Sequence, residues 1–256
     1  MPDASTGSAT HPPAATHTST GSATHPPAAT HAGSAPHRPF TCILWDVDGV
    51  IADASAGILP RLREVFTSYG MQPPAAEELS RWIGPPMYES FQRSGMDLER
   101  SLEAVGRYRE LAARDGYAAS VAIYPGIPEV LRAVRDAGIP QSTASSKPEN
   151  QVLAILEHYE LMDPFTVVAG SLPDPRTGGN EDKATVIGRA LELLGAAGAD
   201  VSRPVLVGDR VHDLEGAAQY GIPVIFAEWG FGDAAEGREA IMQVESASDL
   251  RRALLG

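Results

Sequence analysis

The chain of 256 residues carries 33 acidic against 20 basic side chains, a formal charge of −13 that argues against general affinity for nucleic acid or anionic membranes. Its hydrophobic content of 43% is that of a globular protein, and the length suits one large domain or a core with a smaller insert. A single cysteine, Cys42, rules out a disulfide framework within the chain, so a reducing compartment, the cytoplasm, is expected.

The chain begins with a segment unlike the rest. Thr6–His17 recurs identically as Thr20–His31, and residues 1–39 hold five of the seven histidines but no long aliphatic side chain beyond Met1. Such a segment cannot bury enough surface to offset the entropy of ordering, so residues 1–39 are read as a disordered low-complexity tail. It also lacks the apolar stretch of a secretory signal.

From Phe40 the pattern is that of a folded enzyme. The apolar run Thr41-Cys42-Ile43-Leu44-Trp45 predicts a buried strand that ends abruptly in Asp46 and Asp48, with Gly49 directly after. Helical periodicity follows over Ala56–Tyr69, Ala75–Ile83, Met87–Arg93 and Leu98–Arg114. A Tyr124-Pro125-Gly126 loop leads to a helix over Ile127–Ala137, then a strand ending near Ala144. Helices near Glu149–Tyr159 and Asp182–Leu194 alternate with strands near Phe165–Val168, Pro204–Val207 and Pro223–Ala227. This alternation predicts an α/β fold with a doubly wound parallel sheet, residues 40–55 and 121–256 forming the core and 56–120 a small all-helical cap inserted after the first strand.

The chemistry-bearing residues fall at the ends of these elements, where open α/β sheets bind ligands. Ser145 and Ser146 follow the second strand at a helix start, where hydroxyls and backbone N–H groups hold phosphoryl oxygens. Asp209 and Asp213 in Gly208-Asp209-Arg210-Val211-His212-Asp213 set a second acid pair at a strand end, and Lys183 opens a helix that points toward the same crevice. Phosphoryl transfer explains the collection, because a carboxylate nucleophile and an anionic phosphorus must be neutralised at one spot. Mg2+ serves this purpose through hard oxygens from Asp46, the carbonyl of Asp48, and Asp209 or Asp213. Asp48 is then free to act as general acid and base. Lys183 and Ser145 would hold the transferring group's spreading charge.

The set Asp46-Val47-Asp48-Gly49-Val50, Ser145, Lys183 and Gly208–Asp213 resembles the four motifs of the haloacid dehalogenase-like hydrolase superfamily, in order, over Phe40 to Leu255. The resemblance is closest to its capped phosphatase branch, which includes phosphoglycolate phosphatase-like and bacterial 5′-nucleotidase-like members. Arg81–Pro86, Tyr124-Pro125-Gly126, Ser146-Lys147-Pro148 and Trp229–Gly232 are similar to stretches of those enzymes. It implies that Asp46 is the nucleophile, Asp48 the acid/base, Ser145 and Lys183 phosphate binders, and Asp209 a metal ligand, with Asp213 as its acidic partner.

Asp48 argues against the dehalogenase and phosphonatase branches, and residues 53–124 contain no lysine for an imine. The expected activity is therefore Mg2+-dependent hydrolysis of a small phosphorylated metabolite, phosphoglycolate or a nucleoside 5′-monophosphate, with no obligate protein partner. A sugar-phosphate phosphatase or phosphomutase, and a slow phosphoacceptor regulatory module, are the alternatives. In the cap, Gly84-Pro85-Pro86 predicts a rigid loop facing the core, and Arg109 on the longest helix is a candidate for reading the substrate. Trp82 and Trp229 are read as packing residues in preference to base-stacking platforms.

Overall fold

The computed structural model describes residues 39–173 and 181–256, so the expected tail lies outside the described residues except for its last position. In chain order the elements begin with β1 (Cys42–Trp45) and β2 (Ala52–Asp53), followed by helices α1 (Ser55–Ser68), α2 (Ala76–Ser80), α3 (Met87–Arg93) and α4 (Leu98–Asp115). Then come β3 (Ala122–Ile123), α5 (Ile127–Asp136), β4 (Gln141–Thr143), β5 (Ser145–Pro148), α6 (Glu149–His158), β6 (Gly170–Ser171) and α7 (Lys183–Ala196). The chain closes with β7 (Pro204–Gly208), α8 (Val211–Ala218), β8 (Val224–Ala227), a 3-10 turn at Glu236–Glu239, β9 (Met242–Val244) and α9 (Ala247–Leu255).

Five strands form a parallel sheet in the order β4-β1-β7-β8-β9, the α/β fold expected from the alternating pattern. Its strands alternate sides residue by residue, and each side is covered. Ile43 and Trp45 of β1 point to the face packed by Val130 and Val134 of α5, Ile155 of α6 and Leu250 of α9. Cys42 and Leu44 point to the opposite face, against Ile187 and Ala190 of α7 and Leu214 of α8. Strand β1 lies between β4 and β7, so the chain leaves it in both directions, which opens a crevice at the carboxyl ends there.

Helices α1 to α4 sit between β1 and β4 in sequence and have a core of their own. Its centre is aromatic: Trp82 meets Phe91 edge-on at 5.2 Å between centroids and Phe66 at 5.5 Å. A two-stranded antiparallel ribbon joins the two chain crossings, with Ala52 opposite Ile123 and Asp53 opposite Ala122. The sequence pattern misses this ribbon, since two-residue strands leave no period to detect.

Two expected elements are shorter than their pattern. The helix expected over Ala75–Ile83 stops at Ser80, because Gly84 adopts a φ of +106° and two prolines follow it. The strand expected over Phe165–Val168 is reduced to a single bridge between Val167 and Ser142, and the pairing that continues is β6 against β5. At this edge the register shifts between Ser145 and Pro148, and Pro164 just upstream has no N–H to contribute.

Candidate active site

The site is built where β1 ends. Asp46 N–H continues the β1–β7 ladder by one residue, donating to Val207 O at 2.9 Å, and its Oδ1 accepts from Val47 N–H at 2.8 Å. The chain then turns back on itself: Ile51 and Ala52 N–H both donate to Val47 O, and Gly49 supplies the positive φ of +90° that this turn needs. The turn buries Asp46 and Asp48, 3% and 8% exposed, at the mouth of the crevice.

Lys183 is delivered from α7, whose start is capped by Asp182 accepting from Thr185 N–H at 2.7 Å. Its Nζ lies 3.0 Å from Asp46 Oδ1 and 2.7 Å from Asp213 Oδ1, and donates to Ala144 O at 3.0 Å. Burial pulls the ammonium toward neutrality, but the Asp213 and Asp46 charges outweigh it and hold its pKa above the ordinary lysine value. Asp213, in the first turn of α8, accepts from the N–H groups of Asp209 and Arg210 through Oδ2, at 3.1 and 3.0 Å. Asp209 follows β7 and accepts from Phe231 N–H at 2.7 Å through Oδ2.

Carboxyl oxygens of Asp46, Asp209 and Asp213 lie within 4.8 Å of one another, and all three residues are buried. Burial, with the neighbouring charges of Asp213 and Asp46, raises the Asp209 carboxyl well above its ordinary range. Burial raises Asp213 as well, despite Lys183. Asp209 Oδ1 is buried with no hydrogen-bond partner among the described residues. Three acids meet one ammonium here, and an all-oxygen set with surplus negative charge and an orphaned oxygen fits a hard divalent cation. Space around Asp209 is reserved by missing side chains: a Cβ at Gly49, Gly230 or Gly232 would collide with its carboxylate or carbonyl.

Above this floor is a cleft between the sheet end and the helices, about 90 Å³ in volume. Asp46, Asp48, Ser145, Ser146, Gly84 and Arg109 all line it, so the cluster expected from the sequence is brought together, with Lys183, Asp209 and Asp213 buried beside it. Ser145 is buried and its Oγ accepts from Lys147 N–H at 3.3 Å. Ser146 Oγ is buried without a hydrogen-bond partner among the described residues, which leaves it available to a ligand in the cleft. Trp82 lines the cleft while packing on Phe91, and Trp229 packs near the core and donates to Val50 O at 3.2 Å.

Lys147 stands in a stretch similar to those of the family enzymes, but its sequence position gave it no role. Its Nζ lies 2.9 Å from Asp48 Oδ2, with both side chains close to 10% exposed or less, at 8% and 11%. Burial raises the Asp48 carboxyl above its ordinary value even so, while for Lys147 burial is outweighed only by the Asp48 charge, Tyr108 and the hydrogen bond to Asp48 together, which hold the ammonium up. The available signal was a basic residue two positions after Ser145, on the same face of an extended segment.

The haloacid dehalogenase-like hydrolase profile matches residues 43–227, which contain every residue of this cluster. The chain belongs to that family. It is 32% identical over 201 residues to the tyrosine-protein kinase PtkA of Mycobacterium tuberculosis, covering 78% of this chain and 66% of that protein, so it spans slightly less than two thirds of PtkA. It is also 32% identical over 197 residues to a 5′-nucleotidase of Pseudomonas aeruginosa, covering 77% of this chain and 86% of that enzyme. Among solved structures, a predicted phosphatase from Clostridium acetobutylicum superimposes with a TM-score of 0.77 at 27% identity, over 84% of this chain and 98% of that one. The family resemblance stated from the motifs is thus confirmed, as is the fold.

Proposed function

We propose that this family member is a Mg2+-dependent phosphomonoester hydrolase acting on a small phosphorylated metabolite through an aspartyl-phosphate at Asp46. The observation that carries the reading is the pair of acids at one strand end with different partners: Asp46 held by Lys183 at 3.0 Å, Asp48 held by Lys147 at 2.9 Å. Two carboxylates in distinct environments take distinct roles. Magnesium bound among Asp46, Asp209 and Asp213, with the Asp48 carbonyl, would neutralise charge on the phosphoryl oxygens.

The residues' own part has two halves. Asp46 attacks phosphorus as the ester P–O bond breaks, and Asp48 gives its proton to the departing alkoxide. Asp48 then takes a proton from water, whose oxygen attacks the same phosphorus, and the bond to Asp46 breaks to release phosphate. Ser145, Ser146 and Lys183 hold the non-bridging oxygens throughout. Residues 56–120 act as a cap that closes over this chemistry and excludes water until the ester is in place. Gly84 and Arg109 present the cap to the leaving group, where the guanidinium suits the carboxylate of phosphoglycolate or a polar edge of a nucleoside 5′-monophosphate.

We place the enzyme in the cytoplasm, a reading that rests on its lone buried thiol, and assign it no obligate protein partner. Among the described residues, no helix is long and apolar enough to cross a membrane. The likeness to PtkA favours one second reading, in which a tyrosine hydroxyl replaces water as the acceptor from Asp46 and Asp48 deprotonates it. A phosphate-release screen over phosphoglycolate, nucleoside 5′-monophosphates and sugar phosphates, with an ATP-plus-tyrosine-peptide arm, tests both. Magnesium-dependent phosphate release from a monoester supports hydrolysis, peptide phosphorylation alone supports the second reading, and failure in every arm overturns both.

A further inference from the structure

Arg210 stands in the acidic loop between Asp209 and Asp213, yet the hydrolytic reading assigns it no task. Its side chain is buried, the residue being 6% exposed, and it crosses from the sheet to the helical insert. Nη1 donates to the carbonyl oxygens of Ile83 and Arg81, the latter at 3.3 Å. Nε donates to Glu236 Oε2 at 3.1 Å, and the same oxygen accepts from Val211 N–H at 2.8 Å. Glu236 thereby fixes both the guanidinium and the main chain it grows from. Gly84 rests on the aliphatic stem: a Cβ there would stand 3.1 Å from Arg210 Cγ, on a backbone already at a φ of +106°.

The two carbonyls lie just beyond Ser80, where α2 ends and the loop toward the cleft begins. A planar guanidinium is suited to gather them, since it donates in several fixed directions while its charge is balanced by Glu236. The segment it gathers, residues 81–84, runs directly into the cleft wall formed by Trp82, Ile83 and Gly84. The anchor at its other end lies next to Asp209 and Asp213. We propose that Arg210 is a positioning residue that clamps the 81–84 loop of the insert onto the Asp209–Asp213 loop, so that the leaving-group wall and the acid cluster keep one spacing. This use in catalysis rests on the hydrolytic reading, whereas the clamp itself does not.

The test compares the full-length wild type with R210M, R210K and G84A by steady-state kinetics on the best ester of the screen and by amide hydrogen exchange of residues 82–84. R210M is expected to raise KM about tenfold, the loss of charged hydrogen bonds of this kind, and to speed exchange at 82–84. R210K, with one donor in place of the fork, should fall between R210M and wild type. G84A, which keeps Arg210 but props the loop off it, should speed exchange at the same amides. Wild-type exchange at 82–84 in R210M overturns the clamp, and a change in kcat alone overturns its use in catalysis. Should R210M fail to fold, wild-type exchange in both R210K and G84A overturns it equally. If the wild type hydrolyses no ester but exchange responds as expected, the clamp stands and the hydrolytic reading falls.

Discussion

Lys147 Nζ sits 2.9 Å from Asp48 Oδ2 in a setting where both side chains are nearly out of water. Removing one member of such a pair strands the other, which costs about 3–5 kcal/mol in buried pairs. K147M should therefore lower stability by that order in urea unfolding and reduce turnover, with K147R retaining more of both. A K147M protein as stable as wild type would show that Asp48 does not depend on this partner.

The division of labour proposed for the strand-end acids gives a sharper kinetic expectation. With an aryl phosphate, whose leaving group needs no proton, D48N should still form the phosphoenzyme but fail to hydrolyse it, slowing turnover by about 10²–10⁴-fold. Acid-quenched D48N should then carry one extra phosphoryl group by mass spectrometry, placed on Asp46 by peptide mapping. D46N should show neither turnover nor the modification; phosphorylation of D46N would move the nucleophile elsewhere.

How far the sequence carried is clearest at Lys183 and Lys147. Lys183 was legible because it opens a helix after a strongly polar loop, and its place is fixed by the cap at Asp182 and by the β1–α7 packing of Leu44 against Ile187. Lys147 was not, because β5 holds only four residues and its pairing with β6 depends on Gly170, which lies too close to Glu149 for any side chain. The parallel sheet was readable from runs such as Val205-Leu206-Val207, whose alternate residues reach both covered faces. The β2–β3 ribbon and the β5–β6 edge were not, since both are set by long-range pairing of very short segments.

Removing divalent ions should make stability pH-dependent with a definite sign. Asp209, Asp213 and Asp48 are all raised above the ordinary 3.8, burial being the first cause for each. They hold protons more tightly folded than unfolded, so their contribution is fully present below the ordinary value and is lost as pH rises through the raised folded values. Chelated protein should accordingly melt lower at about pH 8 than at about pH 5, with other groups held constant by comparison with D209N. Added Mg2+ should raise the melting temperature more at the higher pH, adding about 2.7 kcal/mol at a hundredfold excess over Kd. A melting curve indifferent to both pH and Mg2+ would sink this account of the acid cluster.

Cys42 offers a simple check on the core. Burial, helped by the Asp200 charge, pushes its thiol up to about 11, so little thiolate exists near neutrality and none of it is accessible. A thiol reagent at about pH 8 should leave the native protein unmodified and label it fully once unfolded. Rapid native labelling would mean that β1 opens far more readily than a central strand should.

The crowding of Gly49, Gly230 and Gly232 around Asp209 bears on ion choice. Main chain at Gly49 and Gly230 stands against that carboxylate, while Gly232 lies against the Asp209 carbonyl oxygen, which limits how far the side chain can follow a larger guest. Small hard ions take oxygens at about 2.0–2.1 Å and calcium at about 2.3–2.6 Å, with more ligands. With Asp209 held in this way, a small ion would fit between it and Asp46, whereas a larger one would crowd Asp46. Calcium would then bind and block, and the side chains absent at Gly49 and Gly230 would be what makes the difference.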